Sequence, residues 1–194
     1  MKKKIAIFAS GSGSDMQSVV DATLSGQVNG EVVALVTNKH DIFAIERAKK
    51  HSIDFKTFSL SDYKNNEDRD LAIVEYLKPY NIDLIVLAGY LAIVTPILVD
   101  KYEGRIINIH PSLIPNHCGK GMYGIKVHKS VIESGDSVSG CTVHYVDHGA
   151  DTGQIIKQVR VPVEEGDTPE SLQARVLEQE HKLLPEVVAK LCEN

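Results

Sequence analysis

Residues 5–16 read IAIFASGSGSDM, an apolar run that leads into a turn of alternating glycine and serine. The run contains two isoleucines and a phenylalanine, which favour a buried strand. Gly11 and Gly13 let the backbone turn tightly, and Met16 begins a segment with apolar residues at helical spacing. A strand, a glycine-rich turn and a helix in this order indicate an α/β protein with a parallel sheet.

The same alternation continues along the chain from this first unit. Buried strands are predicted at Ile5–Ala9, Val32–Thr37, Leu84–Ala88 and Ile106–Ile109, with a weaker strand at Asp54–Leu60. Helices are predicted between them at Met16–Leu24, Phe43–His51 and Asp68–Tyr80. The sequence therefore predicts a Rossmann-like, mainly parallel twisted sheet flanked by helices.

The second half of the chain changes this pattern. After a predicted helix at Tyr123–Ser134, two alternating segments follow at Ser139–Val146 and Gln154–Val163 with no helix between them. We expect these segments to form an antiparallel hairpin added to the sheet.

The last predicted element is a long helix that starts at Thr168, with Ser171 three residues later, and runs through Leu191. Pro185 is expected to kink this helix or to begin a new segment. No repeat, low-complexity tract or Pro/Gly/Ser-rich linker interrupts the sequence, so we predict one domain over residues 1–194.

The composition argues against several classes of protein. The formal net charge of −5, with no basic run beyond Lys2–Lys4, disfavours a nucleic-acid-binding surface. The longest apolar run, residues 84–94, is too short to cross a bilayer. Three widely spaced cysteines predict neither a disulfide framework nor a zinc site and fit a reducing compartment. We expect a cytoplasmic protein that binds neither nucleic acid nor membrane.

The glycine-serine turn at residues 10–14 is a candidate anion site, because the helix after it points its first amides at whatever lies in the turn. A dinucleotide fingerprint would need glycine where Met16 stands, and the second strand ends without a carboxylate for a ribose. Phosphate binding is therefore our interpretation. The alternative is that Ser14 or Asp15 only caps the helix.

A second candidate site follows the fourth buried strand. Asn108 and His110 are two positions apart, so they lie on one face of the strand at its carboxyl end. Ligands bind at that edge of open α/β sheets. An amide beside an imidazole is suited to holding an oxyanion or moving a proton, although an isolated pair is as often satisfied by loop backbone.

The turn of the predicted hairpin, residues 144–153, carries two aspartates and two histidines among glycines. Because Asp and Gly are common in tight turns, its local sequence favours a structural role. The histidines have no metal-ligand spacing, so we expect no metal site. The loop at residues 118–124 is either a lid or a flexible connection.

Taken together, these segments resemble the glycinamide ribonucleotide transformylase family over essentially the whole chain. In the family, an Asn-x-His-Pro-Ser element with a downstream Asp-x-Gly is specific to folate-dependent formyl transfer, and the glycine-serine turn narrows this to phosphorylated acceptors. The matching segments are residues 10–14, 37–39, 86–91, 108–115, 140–146, 151–153 and 179–181.

The resemblance implies the formyltransferase fold and a role in de novo purine (IMP) biosynthesis, with 10-formyltetrahydrofolate as co-substrate and no metal. It implies an N-terminal half that binds the acceptor phosphate and a C-terminal half that binds folate and carries the chemistry. The catalytic residues would be Asn108, His110 and Asp151; the acceptor residues Gly11, Ser12, Gly13, Ser14, Asp15 and Glu180; and the folate residues Lys64, Leu91, Ala92, Ile93, Val94, Asp147 and His148, together with Asn108 and Asp151.

In the chemistry that the resemblance implies, the amine of 5-phosphoribosylglycinamide attacks the formyl carbon of the folate. Asn108 and a protonated His110 would donate to the formyl oxygen, and Asp151 would raise the pKa of His110. Either Asp151 or a water that it holds would take the amine proton.

The chain departs from the family pattern at four positions: Asp15 replaces a common Asn, Ala92 an Arg of some members, His148 an acidic residue and Gln154 a frequent Pro. Asp15 is expected either to turn away and cap the helix or to weaken phosphate binding.

Three alternatives stay open from the sequence. A methionyl-tRNA formyltransferase would carry a further tRNA-binding domain, and a formyltetrahydrofolate hydrolase an N-terminal regulatory domain, neither of which we expect in 194 residues. A non-catalytic phosphosugar-binding module would need only the glycine-serine turn. For the assembly we expect a monomer or a weak homodimer.

Overall fold

The computed structural model describes residues 1–193. Its strands are β1 (Lys3–Ala9), β2 (Gly30–Thr37), β3 (Asp54–Thr57), β4 (Leu84–Leu87), β5 (Ile106–His110), β6 (Val138–Tyr145) and β7 (Ile155–Pro162). Its helices are α1 (Ser14–Leu24), α2 (Phe43–Lys50), α3 (Asn66–Leu77), α4 (Pro96–Lys101), α5 (Ile125–Ser134) and α6 (Pro169–Cys192).

The seven strands form one sheet in the order β3-β2-β1-β4-β5-β6-β7. Strands β1 to β5 pair in parallel, while β6 pairs antiparallel with β5 and with β7. The predicted parallel sheet and the added hairpin are both confirmed. From β1 the chain builds outward to β2 and β3, and then returns to place β4 on the other side of β1. This reversal opens a crevice at the carboxyl ends of β1 and β4, where open α/β sheets bind their ligands.

Helices cover both faces of the sheet. Apolar side chains of α1, α2, α5 and α6 pack in one core cluster on one face, for example Met16, Ala44, Val131 and Leu184. Side chains of α3 and α4 pack in a second cluster on the other face. Burial on both faces explains why the central strands are almost continuously apolar rather than alternating.

Three details differ from the sequence expectation. The short helix α4, which begins at Pro96, was not predicted, because six residues are too few to show a helical period. Strand β3 ends at Thr57, since a 3-10 turn occupies Leu60–Asp62. Helix α6 runs without interruption through the buried Pro185, so no new segment begins there.

Within residues 1–193, no helix combines the length and the apolar composition needed to cross a membrane.

Candidate active site

A cavity of about 600 Å³ lies in the crevice beyond β1 and β4. Its volume is in the usual range for small-molecule sites. One end is formed by the glycine-serine turn and the other by the ends of β5 and the hairpin loop. Its wall contains residues 10–15, 88–91, 108–111, 119, 121–124, 128, 150, 151, 173, 177 and 180.

The glycine-serine turn leaves the start of α1 open. Gly13 occupies the position before the helix in the left-handed conformation, with φ of +69°, and no side chain caps the helix. A Cβ on Gly13 would lie 2.8 Å from the Cβ of Ala44, so only glycine fits. The first amides of a helix have no partner inside the helix, so this end is available to an anion. The interpretation that Ser14 or Asp15 caps the helix is wrong.

Ser10 ties the turn to the two neighbouring loops. Its hydroxyl donates to Oδ1 of Asn38 at 2.6 Å and accepts from the backbone N–H of Leu91 at 2.8 Å. Arg47 on α2 donates from Nε to the carbonyl of Ser12 at 2.9 Å, which places a positive charge beside the turn. The turn is therefore held from three directions and has a cation next to it.

Asp15 turns toward helix α6. Its Oδ1 lies 3.7 Å from Nε2 of His181, and burial raises the pKa of Asp15 to about 6. Glu180, 7% exposed, has its pKa raised well above the usual range by burial and by the charge of Asp15. Two buried carboxyl groups thus share the acceptor end of the cavity.

The fold brings Asn108, His110 and Asp151 together at the other end of the cavity. Nδ1 of His110 lies 3.7 Å from Oδ2 of Asp151, and Nδ2 of Asn108 lies 3.5 Å from Oδ1 of the same carboxylate. Asp151 has φ of +58° and accepts a hydrogen bond at 2.8 Å from the backbone N–H of Gly119. The fold thus places the side chains of His110 and Asp151 next to each other, although 41 positions separate the two residues in the sequence.

Hydrogen bonds to carbonyl groups define the tautomers of two histidines at this end. Nε2 of His110 donates to the carbonyl of His117 at 3.0 Å, because a carbonyl can only accept, and its Nδ1 faces Asp151. Nδ1 of His144 likewise donates to the carbonyl of Tyr145 at 2.7 Å. Nε2 of His144 is then free to accept from the amide of Asn108 at 3.1 Å.

The pKa of His110 is shifted in the direction opposite to the one that the resemblance implied. Burial lowers the pKa of His110, and this effect outweighs the hydrogen bond to His117 and the attraction of Asp151, which both raise it. His110 is therefore predominantly neutral at neutral pH, not protonated as the resemblance implied. Burial raises the pKa of Asp151, but the neighbouring His144, His110 and Gly119 lower it overall, so this carboxylate is ionised.

His128 of helix α5 also lines the cavity. It is 1% exposed, and its Nδ1 has no hydrogen-bond partner among residues 1–193. Burial, followed by the charge of His110, lowers the pKa of His128 to about 4. The wall of the cavity therefore contains a second neutral imidazole.

The segment after β4 is held by a buried ion pair. Arg69 and Asp70 of α3, each 1% exposed, pair at 2.7 Å. The guanidinium of Arg69 also donates to the carbonyl of Ile93, and Oδ2 of Asp70 accepts from the backbone N–H of Thr95 at 2.7 Å. This pair therefore holds the backbone at Ile93 and Thr95.

The predicted folate residues are only partly gathered at the cavity. Leu91 lines it with Asn108 and Asp151, whereas Ala92, Ile93 and Val94 follow along the same segment outside the wall. The remaining three are not part of the wall either: Lys64 is exposed before α3, Asp147 bonds to Thr152 at 2.6 Å, and His148 bonds to Asp100 at 2.7 Å.

Several supporting residues were missed by sequence reasoning. His144 was seen only as part of a turn, although it pairs with Asn108 across β5 and β6. Arg69 and Asp70 were assigned only to a predicted helix. Two adjacent residues of opposite charge in an amphipathic helix could have indicated this pair. The sequence does not show, however, that the two side chains are buried.

No group of three or more His, Cys, Asp or Glu side chains within the described residues is arranged to hold a metal ion.

The fold and this site are those expected of a formyl transferase, and comparison with known proteins identifies the same family. The family described as Formyl transferase matches residues 3–188. The chain belongs to this family.

Individual relatives have a more specific name than the family does. The chain is 45% identical over its whole length to a chloroplastic phosphoribosylglycinamide formyltransferase of Arabidopsis thaliana, but it spans just under two thirds, 66%, of that protein. It is 39% identical to the phosphoribosylglycinamide formyltransferase of Haemophilus influenzae, with 96% of this chain and 85% of the relative covered.

A solved structure extends the likeness to three dimensions. The glycinamide ribonucleotide transformylase 1 of Geobacillus kaustophilus superimposes with a TM-score of 0.93 at 40% sequence identity, covering 99% of this chain and all of the other. The family resemblance derived from the sequence motifs is confirmed.

Proposed function

We propose that the protein is a phosphoribosylglycinamide formyltransferase. It transfers the formyl group of 10-formyltetrahydrofolate to the amine of 5-phosphoribosylglycinamide, a step of de novo purine biosynthesis. The observation that carries this proposal is a single cavity with an uncapped helix start at one end and Asn108, His110 and Asp151 at the other. The names of the relatives support formyl transfer to phosphoribosylglycinamide.

The acceptor phosphate binds at the glycine-serine turn, residues 11–15. The open amides of α1 donate hydrogen bonds to the phosphate oxygens, and Arg47 adds a compensating charge. Glu180 lies in the same wall and contacts the glycinamide end of the acceptor.

The folate binds along residues 91–94 and the loop that contains Asp147 and His148. Leu91 and Ile93 supply apolar surface for the pterin, since they are 47% and 65% exposed. Asn108 and Asp151 meet the folate at its formyl end. Lys64, which is exposed, attracts the glutamate tail.

The reaction forms a bond between the acceptor nitrogen and the formyl carbon, and breaks the bond between that carbon and N10 of the folate. One proton leaves the attacking amine and one proton is delivered to N10. Nδ1 of His110 is the base in this scheme, because Nε2 already carries the proton that it donates to His117. Asp151 faces Nδ1 and stabilises the imidazolium that forms.

Asn108 stabilises the negative charge that develops on the formyl oxygen. One of its amide hydrogens is directed to His144 at 3.1 Å, whereas the contact to Asp151 is longer, at 3.5 Å. The hydrogen in the longer contact turns to the formyl oxygen when substrate binds, as catalytic hydrogen bonds often tighten only in the complex.

The positions of these residues assign a different function to each half of the chain. The N-terminal half of one domain, residues 1–194, binds the acceptor phosphate, and the C-terminal half binds folate and carries the chemistry. The protein works on small molecules in the cytoplasm, as a monomer or a weak homodimer.

The test incubates the purified protein with 10-formyltetrahydrofolate, with and without 5-phosphoribosylglycinamide. Formyl transfer that requires the acceptor is the expected result. A control acceptor without its phosphate should react far more slowly, because it cannot use the turn. Equal folate release without any acceptor would identify a hydrolase and overturn the proposal.

A further inference from the structure

His117 lies outside the cavity wall, and its side chain joins the loop after β5 to α5 and the turn beyond it. Its Nδ1 lies 2.8 Å from the hydroxyl of Ser130, and its Nε2 lies 2.7 Å from Oδ2 of Asp136. The side chain of His117 is 14% exposed, whereas that of Asp136 is 42% exposed, so the contact to Asp136 lies at the surface. The imidazole therefore anchors this loop at two points.

The backbone of His117 is held in an unfavourable conformation. Its φ is +50°, in the left-handed region that few residues other than glycine adopt, although histidine does so more often than most. Such a conformation persists only when surrounding contacts impose it. The hydrogen bonds to Ser130 and Asp136 are the contacts that the side chain of His117 contributes.

The same loop holds two members of the proposed catalytic group. The carbonyl of His117 accepts the hydrogen bond from Nε2 of His110 at 3.0 Å. Two residues later, the N–H of Gly119 donates to Oδ2 of Asp151 at 2.8 Å. A displacement of the loop would therefore alter the positions of His110 and Asp151 together.

We propose that His117 is a positioning residue, whose anchored side chain fixes the tautomer of His110 and its orientation to Asp151. The proposal rests on the proposed function, since it assigns His110 the role of base. It adds a residue that touches no substrate and acts through its carbonyl.

The chemical reason is a competition for one proton. The carboxylate of Asp151, beside Nδ1 of His110, favours the tautomer with hydrogen on Nδ1. That tautomer has no lone pair on Nδ1 to receive the amine proton. The carbonyl of His117 keeps the hydrogen on Nε2 and so leaves Nδ1 available.

The test compares His117→Phe with His51→Phe. Phenylalanine keeps an aromatic ring and removes both anchoring contacts of residue 117, while His51 loses one contact, to Gln17 at 3.0 Å, at the C-terminal end of α2 and outside the cavity wall. We expect His117→Phe to lower turnover by about tenfold to a hundredfold with unchanged KM values, since small misplacements of reacting groups cost this much. His51→Phe should leave turnover unchanged.

Nitrogen NMR of the imidazole rings reports the tautomer without any need for activity. We expect the wild type to show hydrogen on Nε2 of His110, and His117→Phe to show a shift toward Nδ1. His117→Asn, which tolerates the left-handed conformation and keeps a polar side chain, should restore part of the turnover. Wild-type turnover and an unchanged His110 tautomer in His117→Phe would overturn the proposal.

A second pair of variants covers the case in which His117→Phe does not fold. Ser130→Ala and Asp136→Asn leave the ring in place and each weaken one anchor, so each should shift the tautomer in the same direction. No tautomer shift in either variant would also overturn the proposal. If the wild type lacks formyl transfer, the proposed function fails, while the NMR comparison still decides whether His117 controls His110.

Discussion

The two ends of the cavity are built in different ways. The acceptor end is a turn of consecutive residues, 10–15, that presents backbone amides at a helix start. The catalytic end is assembled from β5, the loop at residue 117 and the hairpin loop at residue 151, and it presents side chains. A backbone site depends on local conformation, whereas a side-chain site depends on every distant contact that orients it.

This difference predicts unequal sensitivity to substitution. Backbone amides remain when a side chain changes, so the acceptor end should tolerate side-chain exchange at positions other than Gly13. Each group at the catalytic end depends on a specific partner, such as His144 for Asn108, His117 for His110 and Gly119 for Asp151. Single changes there should cost far more.

The largest effect is expected for Asp151→Asn, which keeps the shape and removes the charge. Turnover should fall on the order of a hundredfold to ten-thousandfold, because the imidazolium of His110 loses its counter-charge. The pKa of His110 should fall further below its usual range for the same reason. Single-turnover formyl transfer and an NMR titration check the two statements. Asp54→Asn, in an exposed hydrogen bond with Tyr80, is the matched control, and equal activity in the two variants would contradict the assignment.

A second large effect is expected at the buried pair that supports the segment after β4. Asp70→Asn leaves the buried guanidinium of Arg69 without its counter-charge and weakens the bond to Thr95. The free energy of unfolding should fall by about 3–5 kcal/mol. Urea denaturation measures this loss, and the exposed Asp62→Asn serves as control. A loss no greater than that of the control would show that the pair does not stabilise this segment.

A smaller effect concerns acid stability. The pKa of buried His128 is lowered to about 4, so the unfolded chain, with a pKa near 6.5, takes up the proton first. The stability that neutral His128 provides is therefore complete above about pH 6.5 and lost as the pH falls toward 4.

His128→Gln removes this titration. Between about pH 7 and about pH 5 the wild type should lose about 2 kcal/mol more than the variant. Denaturant unfolding at the two pH values measures the difference. Equal losses would mean that His128 titrates normally.

The smallest effect is expected at the acceptor end. Asp15→Asn removes a carboxylate whose pKa of about 6 leaves it mostly ionised at neutral pH, near the phosphate site. The KM for the acceptor should stay the same or fall by no more than about tenfold, since the backbone amides remain and one repulsion is lost. Steady-state kinetics at neutral pH measures this. A large rise in KM would reveal a contact made by Asp15 to the acceptor.

The same comparison explains what could be predicted from the sequence. The glycine-serine turn and the Asn108–His110 pair follow from short-range patterns, and the structure places both at the cavity. Asp151 was predicted only through the family resemblance, because its own segment has the composition of an ordinary turn. Its approach to His110 requires the fold to close across 41 positions.

The remaining features depend on packing that a sequence does not display. His144 meets Asn108 through the antiparallel register of β5 and β6. Capping of α1 was one of two alternatives for Asp15, but the side chain faces His181 because α6 packs against α1. The lowered pKa of His110 follows from burial, which outweighs the neighbouring carboxylate that the motif suggested.

The central claim is that His110, held between Asp151 and the carbonyl of His117, carries the proton in formyl transfer. The most direct measurement is the turnover of His110→Ala with 10-formyltetrahydrofolate and 5-phosphoribosylglycinamide, alongside its unfolding midpoint in urea. We predict a loss of at least about a hundredfold in turnover with the fold intact. Turnover equal to that of the wild type in the folded variant would contradict the account.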